Sequence, residues 1–142
     1  MRALLDVNVL IALFDPAHFH HDHAHEWLGW HRQAGWATCP ITQNGCIRIL
    51  SQPKYPNAIT VTEAVRRLRR AMSQNGHEIW YDDLSIVDSG HFHDSRFLTA
   101  RQVTDLYLLA LAVHHNGRLV TFDQGISIDP VVGAKPHHLL VL

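Results

Sequence analysis

The chain has 142 residues, of which 46% are apolar and 18% are charged, and its net charge is −1. This length supports one hydrophobic core, and the composition excludes an intrinsically disordered chain. The nearly neutral charge excludes a strong general attraction to nucleic acids or membranes, so binding to a polyanion must use a local basic patch or metal ions. We therefore predict a single domain spanning residues 1–142.

Short apolar segments predict β-strands, and longer segments with apolar residues three and four positions apart predict α-helices. In chain order these are strand ALLDV, helix DHAHEWLGWHRQ, strand WATCP at 36–40, helices TQNGCIRILSQ and TVTEAVRRLRRAMSQNG, strand HEIWY at 77–81, helix TDLYLLALAVHHNG, strand RLVTFD at 118–123 and strand HHLLVL. Strands that alternate with helices favour a mainly parallel sheet covered on both faces. The predicted fold is a three-layer α/β/α sandwich.

The N-terminal apolar run and the cysteines indicate a cytoplasmic protein with no membrane association. The run MRALLDVNVLIALFDP contains Asp6, is too short to cross a bilayer and has no cleavage site of small residues behind it. Cys39 and Cys46 are too few for a disulfide framework, and their spacing matches no common zinc signature. We expect both to be reduced, partly buried thiols.

Five histidines occur within eight residues, which suggests a transition-metal site. They are His18, His20, His21, His23 and His25. Pairs three or four apart could share a helix face, but no third ligand follows at a typical spacing. We favour a polar, exposed helix start whose Trp27 and Leu28 face the core.

Three acids lie where a parallel sheet usually places its ligand site. Asp6 follows the first strand, Asp123 follows the strand LVTF, and Asp105 begins the most apolar helix. In α/β folds, ligands bind beyond the carboxyl ends of the strands, where the strand order reverses. Clustered carboxylates repel one another unless a cation neutralises them, and oxygen ligands suit Mg²⁺ or Mn²⁺. These residues favour a metal-dependent hydrolase acting on phosphodiesters, although each acid taken singly could be a cap or turn residue.

Four segments in this order resemble the PIN-domain family, especially the VapC-like toxins of bacterial toxin–antitoxin pairs: LLDVNVLIALFD, CPITQNGCIRIL, VTDLYLLALA and LVTFDQGI. The resemblance covers essentially the whole chain. It implies an endoribonuclease that uses Mg²⁺ or Mn²⁺, forms homodimers and is inhibited by a small cognate antitoxin. By position, Asp6, Asp105 and Asp123 match the family's first, third and fourth acids and would hold the metal. Asn8 matches a small polar residue that assists the first acid, and Thr121 matches a hydroxyl residue that supports the last.

The family's second acid, a glutamate, is replaced by Gln43 in the segment ITQNGCIR. Its amide offers a carbonyl oxygen without charge, which should weaken the binding of a second metal ion most. Three consequences stay open: one firmly held metal, which we favour, recruitment of Asp82 or Asp83, or an impaired enzyme that acts by binding RNA or a partner. Arg48 matches the arginine that follows the family's glutamate, and we favour a structural ion pair over catalysis for it.

The segment VRRLRR adds a basic patch to a nearly neutral protein. Its four arginines are Arg66, Arg67, Arg69 and Arg70. A solvated helix face and a contact with the RNA backbone explain them equally well. Trp80 and Tyr81 could stack on bases, although burial in a strand is the commoner reason for aromatic residues there.

A phosphoacceptor signalling domain would also use an acid at the end of a strand. It would require paired acids after the first strand and a lysine near the last one. Asp6 has no such pair, and the only lysines, Lys54 and Lys135, do not end a buried strand. We therefore disfavour this alternative.

Overall fold

The centre of the fold is a five-stranded parallel β-sheet, seen in a computed structural model that describes residues 1–97 and 99–142. The strand order is β3-β2-β1-β4-β5, and each neighbouring pair is parallel. The strands are β1 (Ala3–Leu5), β2 (Trp36–Thr38), β3 (His77–Ile79), β4 (Arg118–Thr121) and β5 (Leu139–Val141). The predicted parallel sheet is confirmed, with each strand shorter than its apolar segment.

Five α-helices connect and cover the strands. They are α1 (Val7–Phe14), α2 (His21–Trp30), α3 (Pro40–Leu50), α4 (Val61–Met72) and α5 (Val103–His114). Helix α1 was not predicted, and the first strand, which was predicted to extend to Val7, ends at Leu5 because Asp6 is the N-cap of α1. Within the described residues, no helix combines the length and apolar character that crossing a membrane requires.

Two hydrophobic clusters lie on opposite faces of the sheet, as the three-layer prediction requires. Ala3 and Leu5 of β1 belong to the cluster that includes α1, α2, α3 and α4. Leu4, which points to the other face, belongs to the cluster built mainly from α5. Successive residues of a strand point to opposite faces, so both sides of this short strand are buried.

The strand order reverses between β1 and β4. From β1 the chain continues to β2 and β3 on one side, and β4 and β5 lie on the other. Asp6 follows β1 directly, and its backbone N–H donates to the Val120 carbonyl of β4 at 3.0 Å. The carboxyl ends of β1 and β4 therefore meet at the switch point, where α/β folds bind ligands.

Candidate metal and catalytic site

Asp6 is a buried carboxylate at the switch point, with only 7% of its surface exposed. Its Oδ1 accepts a hydrogen bond from the Val7 backbone N–H at 2.7 Å, as the N-cap of α1. Its Oδ2 accepts from the Thr121 hydroxyl at 2.7 Å. A buried carboxylate is expensive unless such donors stabilise it, so α1 and β4 jointly hold Asp6 in place.

The hydroxyl of Thr121, at the end of β4, connects three segments of the chain. Besides donating to Asp6, it accepts from the Asn8 Nδ2 at 3.0 Å and from the Asp123 backbone N–H at 3.0 Å. A hydroxyl has one hydrogen and two lone pairs, so these three bonds satisfy it completely. Asn8 closes the network because its Oδ1 accepts from the Phe122 N–H at 3.2 Å. The two predicted supporting residues therefore lie between the first and last acids.

Asp6, Asp105 and Asp123 lie close enough for their charges to act on one another. Burial, followed by the charges of Asp6 and Asp123, raises the pKa of Asp105 to about 6, and only Arg101 opposes the shift. Burial also raises the pKa of Asp6, with a smaller contribution from Asp123 and opposition from the Thr121 and Val7 hydrogen bonds. The structure thus brings the three predicted acids together across β1, β4 and α5.

The residues of this cluster fit a divalent cation. Burial and neighbouring negative charges raise the pKa of Asp6 and Asp105, so a positive charge beside these carboxylates would stabilise their ionised form. Their oxygen atoms are the hard ligands that Mg²⁺ and Mn²⁺ prefer. Asp105 also lies in the first turn of α5, where the helix dipole supports a negative charge.

Gln43 lies at the same edge of the sheet, in the first turns of α3. Its Nε2 donates to the buried hydroxyl of Thr38 at 2.9 Å, and Thr38 ends β2 beside β1. This bond turns the amide nitrogen toward β2 and leaves the carbonyl oxygen as the atom that a cation could use. Among the described residues, Gln43 makes no side-chain hydrogen bond to the three acids.

One expectation around Gln43 is wrong, and the structure does not support the recruitment of Asp82 or Asp83, which the sequence left open. Arg48 is exposed in the last turn of α3, and no salt bridge joins it to any described residue, so the structural ion pair is not formed. Asp83 does not replace the missing acid, because its Oδ2 lies 3.7 Å from His114 Nε2, at the opposite end of α5 from Asp105. The charge of Asp82 acts on the pKa of Cys39 and Tyr107 and does not contribute to the raised pKa of Asp6 or Asp105.

Two histidines of the N-terminal stretch bind backbone carbonyls instead of a metal ion. His21 Nδ1 lies 2.7 Å from the Ala12 carbonyl oxygen, and His25 Nε2 lies 2.9 Å from that of Leu13. Both carbonyls belong to the last turn of α1, where helix oxygens have no partner within the helix. The predicted exposed, polar helix start is confirmed for His23 and His25, whereas His21 is half-buried. His21 and His25 also hold α2 against the end of α1.

The basic patch on α4 is divided between paired and exposed arginines. Glu63 accepts from Arg67 at 3.0 Å and from Arg66 at 3.3 Å, and Arg67 also donates to the Phe14 carbonyl at 3.0 Å. Arg69 and Arg70 are exposed near the end of the helix. Of the four arginines, only Arg69 and Arg70 therefore present a charge that no acid among the described residues opposes.

Trp80 and Tyr81, the two possible base-stacking residues, differ in their exposure, and Arg101 beside the acids was not predicted. Trp80 is only 3% exposed and stacks on His115, so it is a core residue, whereas Tyr81 is 68% exposed. Arg101 was not predicted, although it is the one cation found to act on the pKa of Asp105. Its position four residues before Asp105 is the helical spacing that could have identified it.

Comparison with known sequences places the chain among proteins of one type. The profile of the PIN domain family matches residues 3–128. Ribonuclease VapC44 of Mycobacterium tuberculosis is 51% identical over 142 residues, which is 100% of both chains. Ribonuclease VapC38 of the same species is 44% identical over 126 residues, covering 87% of this chain and 86% of the relative.

Two solved structures share the architecture. VapBC2 of Rickettsia felis, bound to a DNA fragment from its promoter, aligns with 100% of this chain and 98% of its own, with a TM-score of 0.63 and 15% identity. VapC20 of Mycobacterium tuberculosis, described as a Sarcin–Ricin loop cleaving toxin, aligns with 94% of this chain and 99% of its own, with a TM-score of 0.59 and 14% identity. At such low identity these neighbours support the fold alone.

Proposed function

Because the chain belongs to the PIN-domain family and, within it, to the VapC-like proteins, we propose that it is a metal-dependent endoribonuclease and the toxin of a toxin–antitoxin pair. PIN-domain ribonucleases generally use divalent metal ions, and we propose Mg²⁺ or Mn²⁺ here. The observation that carries the proposal is the cluster of Asp6, Asp105 and Asp123 at the switch point of the sheet.

Each acid has a role that follows from its surroundings. Asp6 supplies a rigid carboxylate, because both of its oxygens already accept hydrogen bonds from the protein. Asp123 Oδ1 accepts from the Gly125 N–H at 2.8 Å, which fixes the turn after β4. Asp105 approaches from α5 on the other face of the sheet. When bound, Mg²⁺ or Mn²⁺ activates water and offsets negative charge on the phosphate.

We propose that one firmly held metal ion suffices, with Gln43 contributing a neutral oxygen near it. The alternative is a catalytically impaired domain that only binds RNA or a partner. The full-length similarity to proteins named ribonucleases does not favour it, and neither does the intact network of Asp6, Asn8, Thr121 and Asp123.

The proposed partners are RNA, a small cognate antitoxin and a second copy of the chain. A groove of about 360 Å³ beside α4 supports a peptide-binding partner. Leu13, Leu28 and Trp36 line it with apolar surface, and the exposed Arg70 adds positive charge. An antitoxin segment with apolar and acidic side chains would fit such a groove. Two free, buried cysteines are typical of a reducing compartment and support a cytoplasmic location.

Cleavage of RNA by purified protein, free of antitoxin, tests the proposal. Wild type should cut RNA with Mg²⁺ or Mn²⁺ and stop with EDTA. Asp6→Asn should abolish cleavage, because the variant keeps the fold but loses the central charge of the cluster. Asp22→Asn is the matched control, since Asp22 is an exposed first-turn acid on α2 and should be silent.

Gln43→Glu distinguishes the active enzyme from the impaired one. Cleavage by wild type, equalled or moderately increased in Gln43→Glu, would support one sufficient metal ion. Inactive wild type together with an active Gln43→Glu variant would overturn the nuclease proposal in favour of a binding function. Full activity in Asp6→Asn would instead remove Asp6 from the site.

A further inference from the structure

A second group of possible metal ligands lies at the far end of α5. Asp83, His114 and His115 each offer one ligand atom, and these atoms lie within 4.8 Å of one another. Among residues 1–97 and 99–142 it is the only group of three or more His, Cys, Asp or Glu side chains whose ligand atoms all lie this close together, and the three acids at the switch point are more widely spaced. His114 is nine residues beyond Asp105, so the group lies about 14 Å along the helix axis from the acid cluster. The two groups are therefore separate sites.

We propose that Asp83, His114 and His115 form a binding site for a borderline transition-metal ion such as Zn²⁺. The donor set decides the class of ion. Two imidazole nitrogens and one carboxylate oxygen are typical ligands of Zn²⁺, whereas Mg²⁺ prefers oxygen atoms and water. Each of the two sites would therefore select a different class of ion.

His115 supplies an observation independent of the ligand spacing. Its ring stacks on Trp80 at 4.5 Å with an interplanar angle of 4°, so its orientation is fixed by packing. Its Nε2 atom is buried and has no hydrogen-bond partner in the described part of the chain. Buried polar atoms in native proteins nearly always have a partner.

The other two ligands have the freedom to close around an ion. Bonds of about 2.0–2.1 Å in a tetrahedral site put neighbouring ligand atoms roughly 3.4 Å apart. Asp83 Oδ2 and His114 Nε2 are already 3.7 Å apart. Both side chains are exposed, so small rotations would bring them to the fixed ring of His115.

His91 and Asp88 lie beside this group of ligands. The ring of His91 lies edge-on to that of His114 at 5.9 Å, and His91 Nε2 is 3.7 Å from Asp88 Oδ2. Asp83, Asp88 and His91 all belong to the long connection between β3 and α5. A bound ion would tie this connection to the C-terminal end of α5, which is a structural role rather than a step of RNA cleavage.

Titration of the full, tag-free chain with Zn²⁺ against a chromophoric chelator tests the proposal. We expect one tight site in the wild type, and affinity at least tenfold lower in Asp83→Asn and in His114→Gln. Both residues are exposed, so the variants should match the wild type in thermal unfolding with EDTA. Zn²⁺ should raise the Tm of the wild type and have little effect on that of the two variants.

Two control variants test whether Zn²⁺ binds at another site of the chain instead. The double variant His18→Gln/His23→Gln removes two of the five histidines of the N-terminal stretch and keeps the two that bind α1, and Asp6→Asn weakens the acid cluster. The proposal requires that both keep the tight site and the visible absorption of bound Co²⁺. Unchanged Zn²⁺ affinity in Asp83→Asn and His114→Gln would overturn it, and so would loss of the tight site in either control. Because the readout is metal binding, a failure here is distinct from a failure to cleave RNA.

Discussion

At the scale of single residues, the hydroxyl of Thr121 organises the acid cluster. It donates to Asp6 and accepts from Asn8 and from the Asp123 backbone. The Asn8 Oδ1 at 3.5 Å is also within reach, but the single hydrogen follows the shorter bond to Asp6 at 2.7 Å. The orientation of two acids therefore depends on one side chain that need not touch the substrate.

We predict that Thr121→Val will impair both stability and catalysis. Valine keeps the shape, but it leaves the Asp123 N–H, the Asn8 amide and one Asp6 oxygen without their partner. Buried groups left unpaired cost about 1–3 kcal/mol each, and partial access of water to the edge should limit the total to about 3 kcal/mol. Loss of a residue that orients metal ligands typically lowers metal affinity or activity roughly 10- to 100-fold.

Chemical denaturation and initial cleavage rates measure the two effects of Thr121→Val. Thr121→Ser is the matched control, because it keeps the hydroxyl and removes only a methyl group, at about 1 kcal/mol. A valine variant as stable and active as the serine variant would show that the hydroxyl does not position the acids.

Asp105 illustrates a conflict between function and stability. Its pKa in the folded protein is about 6, against an ordinary value of 3.8, because of burial and the charges of Asp6 and Asp123. A raised carboxyl pKa stabilises the fold fully at pH below about 4, and this contribution is lost as the pH rises to about 6. At neutral pH the ionised Asp105 therefore destabilises the metal-free protein.

We predict that Asp105→Asn will stabilise the metal-free protein at pH 8 while abolishing cleavage. The gain should be about 1 kcal/mol after allowance for solvent screening, or about 3 °C in Tm. The lost interaction with the dipole of α5 offsets about 0.3–1 kcal/mol of this gain, which leaves a net gain of at most about 0.7 kcal/mol, or about 2 °C in Tm. Thermal unfolding in EDTA between pH 4 and 8 measures it, and the difference between variant and wild type should grow with pH. Asp22→Asn, at the equivalent turn of α2, should show only the dipole loss. A lower Tm in Asp105→Asn than in wild type at pH 8 would contradict the repulsion.

Site residues that lie at the ends of predicted strands could be identified from the sequence. Residues whose role depends on contacts between distant elements could not. Asp6, Asn8 and Thr121 lie at or next to strand ends, so their meeting follows from a parallel sheet. His21 and His25 bind carbonyls of α1, and α1 itself was not foreseen. A local pattern of histidines cannot distinguish a metal ligand from a donor to a neighbouring helix end.

At the scale of elements, the crossing of α1 and α3 depends on a glycine. A Cβ atom at Gly45 would lie 2.7 Å from Val7 Cγ2 and 3.4 Å from Val7 Cγ1. Rotating Val7 does not relieve this, because a β-branched residue in a helix has one strongly preferred rotamer. Val7 is also the residue whose N–H binds Asp6. Val7 thus connects the close packing of α3 on α1 to the acid cluster.

We predict that Gly45→Ala will destabilise the protein, although alanine is the better helix former. The helix gains about 1 kcal/mol from alanine, but forcing an extra methyl group into a packed contact costs about 1–3 kcal/mol. The expected net loss is about 1 kcal/mol, with reduced cleavage because Val7 shifts. Gly29→Ala is the control, since a Cβ there has no neighbour within 4 Å and should stabilise α2 by about 0.5 kcal/mol. Urea unfolding of both variants decides the matter, and a stabilised Gly45→Ala would show that the two helices separate easily.

The missed helix shows the limit of periodicity in sequence analysis. From Val9 to Leu13 every residue of α1 is buried, so its apolar residues do not recur on one face. A short, wholly apolar run is equally typical of a buried strand. By contrast, α4 has a polar face and a buried face with Leu68, and its segment was predicted correctly. The equally buried α5 was nevertheless predicted, because its apolar run is too long for a typical strand. Only a buried helix as short as α1 needs its tertiary contacts to be recognised.

At the scale of the whole molecule, a net charge of −1 must coexist with binding to RNA. The acid cluster repels phosphate until a cation is bound, so attraction has to come from elsewhere on the surface. Arg66 and Arg67 are opposed by Glu63, whereas Arg69 and Arg70 are exposed at the end of α4. The usable basic patch is therefore about half as large as the sequence suggests.

We predict that the salt dependence of RNA binding will follow this division of the arginines. For single-stranded RNA, each phosphate contact contributes about −0.7 to the slope of log K against log salt concentration. In a non-cleaving Asp6→Asn background and in monovalent salt, Arg69→Ala and Arg70→Ala should each reduce the slope by about 0.7. Arg66→Ala should change it less, because Glu63 already opposes its charge. Fluorescence anisotropy from low to moderate salt measures the slopes, and the three variants should have the same Tm. Equal slopes in wild type, Arg69→Ala and Arg70→Ala would show that RNA does not contact α4, and the protein would then have to attract its substrate mainly through the bound cation.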